Sequence, residues 1–134
     1  MCHSKNVTPF KLVLAPGQSI FDQVVFAATR AILSGVLQPG QGFPSVRSMA
    51  ADLKIHPNTA HKVIQHLIQE RWLEARPGIG TVVAVPPEAR PGDRQRLLKE
   101  EVDKLVVEAR RVGADLNEVI DAIRSGWKGM RGDK

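Results

Sequence analysis

Residues 44–83 read PSVRSMAADLKIHPNTAHKVIQHLIQERWLEARPGIGTVV. Apolar residues recur at three- and four-residue steps in two runs: Val46, Met49, Ala50 and Leu53, then Ala60, Val63, Ile64, Leu67 and Ile68. That period predicts helices over 46–53 and from 57 to about 71. Ser45 suits the N-cap of the first. Pro57 suits the opening position of the second, where its missing N–H costs nothing. Lys54, Ile55 and His56 leave room only for a tight turn between them. Short strands are expected over 72–75 and 81–84, around a tip at 76–80 whose glycines can take positive φ. This order of elements describes a winged helix-turn-helix, a device for placing its second helix in the major groove of DNA.

Upstream, Phe21, Val24, Val25, Ala28, Ile32 and Leu33 mark one side of a helix from 19 or 20 to 34. Ser19 or Asp22 serves its first turn and Gly35 stops it. Residues 37–42 form a turn-rich connection, and 10–14 a candidate strand within an N-terminal arm over 1–18. The winged helix-turn-helix domain is expected over 19–85. Residues 86–92 hold three prolines and make a linker. Beyond it a helix is expected over 93–112, with Leu98, Val102, Leu105, Ala109 and Val112 as a two-heptad seam. Gly113 ends it. Asp115 and Glu118 form a capping-box pair for a second helix striped by Leu116, Val119, Ile120, Ile123 and Trp127. A frayed tail is expected over 128–134. The expected fold class is mainly α with a small β wing, followed by a C-terminal α-helical hairpin over 93–134. Two helices of this size bury little alone, so the hairpin is expected to dimerise through Leu98, Val102, Leu105, Ala109, Val112, Leu116, Val119, Ile120 and Ile123.

The chain has 134 residues and a formal charge of +5. Residues 1–85 hold 8 Lys/Arg against 4 Asp/Glu, and 86–134 hold 11 against 10. The basic excess therefore sits with the expected reading head, as an electrostatic footprint on DNA requires. No apolar run reaches the roughly 20 residues of a membrane span. The start has no apolar signal core, so the expected location is the cytoplasm. Cys2, the single cysteine, cannot form an internal disulfide.

A reading helix needs short polar side chains near its N-terminus for bases, with cations for phosphates. Asn58, Thr59 and His61 fit the first need; Arg47, Lys62 and Arg76 fit the second. Ser45, His56 and Pro57 at helix starts, with Gly78 and Gly80 in the tip, complete the expected DNA-binding set. A metal site is disfavoured, because His56, His61 and His66 are spaced by five and cannot share one helix face. Gly78, Ile79 and Gly80 lack a following helix and the GK[ST] of a phosphate loop. Acidic residues such as Glu100, Glu101 and Asp103 lie on a solvated face with no apolar pocket to shift their titration. No nucleophile–base pair or cofactor loop points to an enzyme, and no cofactor is expected.

The segment resembles the N-terminal domain of the GntR family of bacterial transcription regulators. The resemblance rests on ILSGVLQPG at 32–40, PSVRSMA at 44–50, PNT at 57–59, Leu67 and GIGT at 78–81, and spans 19–85. It implies that Arg47, Asn58, Thr59, His61, Lys62 and Gly78 lie at or near DNA. The short two-helix tail is similar to the YtrA subfamily, whose C-terminal helices dimerise and whose genes often neighbour those of ABC transporters. Three positions depart from the family pattern. His61 stands where Arg or Lys is frequent, Pro77 where a second basic residue is frequent, and His56 where Asn or a similar cap is usual. The expected function is that of a homodimeric DNA-binding repressor on a palindromic operator. The alternative is an architectural or adaptor protein using the winged helix for protein contacts. The effector is unknown; the roughly 40 residues after the linker are too few to enclose a typical ligand pocket within one chain.

Overall fold

The computed structural model describes residues 8–10, 12 and 17–130. It divides into two compact units, one reaching Pro87 and the other beginning at Glu88. The first contains α1 (Ile20–Leu33), α2 (Val46–Leu53), α3 (Pro57–Gln69), β1 (Leu73–Arg76) and β2 (Gly80–Val83).

Helix α1 begins where the Ser19 hydroxyl accepts the Asp22 N–H at 3.0 Å. It stops at Gly35, whose φ of 85° lets the chain turn away. Its inner side buries Val24, Ala28, Ala31 and Ile32 against Met49 and Ala50 of α2 and Ala60, Val63, Ile64 and Leu67 of α3. Leu33, expected on that stripe, is instead 51% exposed. The helix ends there, and Leu37 takes a fully buried place in the core. Burying a side chain such as Leu37, Met49 or Leu67 contributes about 1.5–3 kcal/mol each, so the loop residue anchors this unit as firmly as a helical one.

The antiparallel pair β1–β2 places Leu73 opposite Val83 and Arg76 opposite Gly80. Both strands sit one residue from their expected bounds. The 37–42 connection is more than a turn. Gly42 bridges Val82, the Phe43 N–H donates to Thr81 O at 2.9 Å, and the Gly40 N–H donates to Val83 O at 2.8 Å. A third extended segment therefore flanks β2. Its glycines hid it, because strand signals rest on alternation and branched residues.

The arm also reaches the first unit. Phe10 is buried and stacks on Phe43 with ring centres 6.1 Å apart. The Thr8 N–H and hydroxyl both donate to Asp52 Oδ2, at 2.6 and 2.9 Å. Phe10 is not in a strand, and most of the expected strand over 10–14 lies outside the described residues.

The second unit holds α4 (Asp93–Arg96), a π-helical turn (Leu97–Glu101), α5 (Val102–Val112) and α6 (Leu116–Gly129). The expected single helix is thus helical throughout, but not uniformly α. The Val102 N–H donates to Leu97 O, a five-residue bond that sets Leu97 one wide turn before Val102. Uniform α winding would have put Leu97 roughly 140° away from Val102. The wide turn thus brings Leu97 beside Leu98 on the side of Val102, where the expected seam named Leu98 alone. Asp115 and Glu118 form a reciprocal capping box at 2.9 Å in both directions. α6 continues to Gly129, so Lys128 belongs to the helix and not to a frayed tail. The Glu108 carboxylate pairs with Arg111 on the exposed side of α5, which lowers the Glu108 pKa and raises that of Arg111.

Candidate nucleic-acid interface

The turn between α2 and α3 closes because Lys54 adopts a left-handed conformation, φ 57° and ψ 47°. Its N–H and that of Ile55 both return to Ala50 O, and Ile55 drops into the core. His56 then caps α3: its Nδ1 accepts the Asn58 N–H at 3.0 Å, and its carbonyl accepts the Ala60 N–H at 3.1 Å. Pro57 has no N–H to satisfy. Thr59 is left with the one N–H of the first turn that has no partner among the described residues. At the start of α2, Ser45 Oγ accepts the Ser48 N–H at 3.1 Å, and Arg47 stands exposed one position into that helix.

α3 is sharply two-sided. Ala60, Val63, Ile64 and Leu67 are buried. Asn58, His61, Lys62, Gln65 and Gln69 are exposed and fall within about 100° of one another around the helix axis. Thr59 is half-buried at the edge of this stripe. Gln65 and Gln69 were absent from the expected set. Their steps of three and four residues from Lys62 were the signal that could have placed them.

At the wing, Gly78 and Gly80 have φ values of 79° and 114°, where an L side chain is strained. Ile79 projects between them, 72% exposed. Arg76 is not a free cation: its Nε donates to Glu74 Oε2 at 2.7 Å. Residues two apart in a strand share a face, so the sequence held this pairing too. Ser45, Arg47, His56, Pro57, Asn58, His61, Lys62, Arg76, Gly78 and Gly80 are all exposed. Ser45 and His56 spend their side-chain acceptors on helix ends, while Arg47 and Lys62 have no ion-pair partner among the described residues. No group of three or more His, Cys, Asp or Glu is placed to hold a metal among the described residues. No described helix is long and apolar enough to cross a membrane.

None of the described residues of the second unit is buried. Leu98, Val102, Leu105, Val112, Leu116 and Ile123 are exposed; Ala109, Val119 and Ile120 are half-buried. Between α5 and α6 lies an open groove of about 550 Å³ lined by Val106, Ala109, Leu116 and Val119 among others. It is a surface groove, not an enclosed pocket.

A short helix, a tight left-handed turn, an amphipathic second helix and a Gly-tipped wing define a DNA-binding winged helix-turn-helix protein. Residues 21–83 match the family described as bacterial regulatory proteins, gntR family. The chain is 26% identical over 116 residues to the HTH-type transcriptional repressor YtrA of Bacillus subtilis, covering 86% of this chain and 89% of that protein. It is 28% identical over 110 residues to the HTH-type transcriptional regulator YhcF of the same organism, covering 82% and 88%. Its fold matches a crystal structure titled transcriptional antiterminator from Listeria monocytogenes at a TM-score of 0.74 and 21% identity, covering 93% of this chain and 95% of that one. The protein is a DNA-binding transcription regulator whose residues 21–83 match the gntR family and which is similar to YtrA over most of its length.

Proposed function

We propose that the protein is a homodimeric repressor that reads a palindromic operator. The observation that carries this is the second unit. Its helices are fully formed, α6 with a capping box, yet every residue in them keeps solvent contact and a set of Leu, Val and Ile is uncovered. An apolar surface of this kind marks an association surface, and a second copy offers a matching one. A two-fold pair would present two α3 helices, so half-sites should lie one or more turns of DNA apart, about 34–36 Å each.

Within each copy, Asn58, Thr59 and His61 would read base edges. Arg47 and Lys62 would hold phosphates, and Ser45, Pro57, Gly78 and Gly80 would let the backbone approach. Arg76 would join them once DNA draws it from Glu74. The repressor role follows the resemblance to YtrA, which bears that description. The resemblance also points to ABC-transporter genes as targets. An effector, if the protein has one, would sit in the α5–α6 groove as completed by the second copy.

The test is a footprint on DNA selected by the protein from a random pool, with sedimentation equilibrium of the same sample. Two symmetric protected half-sites and a dimer are expected. An asymmetric single half-site bound by a monomer would overturn the proposal.

A further inference from the structure

We infer that His56 is a positioning residue whose neutral imidazole holds the reading end of α3, so that sequence discrimination depends on its protonation state. This rests on the reading that α3 enters the major groove. The hydrogen bond from the Asn58 N–H to Nδ1 at 3.0 Å requires Nδ1 to carry no proton. The tautomer is thereby fixed, with the hydrogen on Nε2. An imidazolium has no acceptor and also sets a positive charge against the positive end of the helix. The cap has no substitute: Pro57 supplies no N–H, and the next residue, Asn58, is both the capped donor and the first polar side chain of the exposed stripe. The Asn, Asp, Ser and Thr caps usual at this place accept at every pH near neutrality. Histidine alone among them titrates there.

α1 packs on the buried side of α3, with Phe21 on the His66 ring at a centre distance of 5.3 Å, and the Trp72 N–H reaches Leu67 O. The charged groups at the His56 end are Asp52 and Lys54 at the close of α2, with His61 and Lys62 further along α3. Asp52 is taken by Thr8, and Lys54 and Lys62 are cations. Among the described residues His56 has no ion-pair partner. DNA phosphates act the other way: every protonated histidine strengthens binding to any sequence. The two effects separate in the ratio of specific to non-specific affinity.

The experiment compares the wild type, His56→Asn and His56→Ala. The readout is affinity for a duplex selected at pH 7.5 and for a random duplex of equal length, from pH 5.5 to 8. In parallel, the Asn58 amide and the His56 ring are followed by NMR in the free protein. The wild-type specificity ratio is expected to fall about fivefold on acidification, the equilibrium equivalent of losing one helix cap. The His56→Asn ratio should stay flat, and His56→Ala should be low at both ends. The Asn58 amide shift should follow the His56 titration. Equal pH profiles for the wild type and His56→Asn would overturn the inference. Absence of any sequence preference at any pH, with the amide still tracking His56, would overturn the groove reading of α3 and with it the link to recognition.

Discussion

Asn58 and Lys62 stand one turn apart on the exposed side of α3, yet their chemistry divides the work. An amide can pair bidentately with adenine, whereas an ammonium on a flexible stem holds phosphate as a point charge. Asn58→Ala is expected to cost about 1–3 kcal/mol on the selected site and little on random DNA. Lys62→Ala is expected to weaken both alike and reduce the salt slope by about one. Titrations at several salt concentrations check both, and equal losses for the two variants on random DNA would reject the division. Ser45 carries a local role as well. Its hydroxyl caps α2, so Ser45→Ala should lower stability by about 1 kcal/mol, read by urea unfolding. Residue types, caps and the glycines of the wing were legible because they act over three or four positions. The Thr8–Asp52 clamp was not, because its partners are 44 positions apart and no local pattern joins them.

The elements were legible where their period was strong, as in α3 and α6, and less so where geometry changes within an element. The π turn is the clearest case. LLKEE at 97–101 has ordinary helical composition, and nothing in it announces a wide turn. Replacing Leu97 and Leu98 together by Asp should put charges on the side that the wide turn aligns with Val102. If these leucines lie in the interface, the dimer should weaken at least tenfold by sedimentation equilibrium; an unchanged association would place them outside it. On the same helix, the Arg111 hydrogen bond holds the Glu108 pKa low. A depressed carboxylate contributes stability above the ordinary carboxylate range, lost as pH falls through its folded value. Because the pair is fully exposed and screened, Glu108→Gln should leave the thermal midpoint at pH 7 unchanged within error.

The whole molecule joins a unit with a core of its own to one in which none of the described residues is buried. Ile123→Asp places a charge on the uncovered face of α6 without disturbing the first unit. The expected result is a monomer with retained α1–α3 helicity by circular dichroism. Its operator affinity should fall by 10²–10⁴, the range set by losing one of two linked heads. Unchanged sedimentation would argue that the face serves another end. The two helices of the second unit could be read from the heptad steps and Gly113, and their scant burial among the described residues agrees with the expectation that two helices of this size bury little alone. One consequence follows from the strip at Gly40–Phe43. It pairs with β2 on one side and leads within two residues to Ser45 on the other. The wing and the start of α2 are thus fastened to the same short piece of backbone. On the proposed DNA reading, this shared anchor would tie the wing's position to that of α2, so that the two would move together on a duplex.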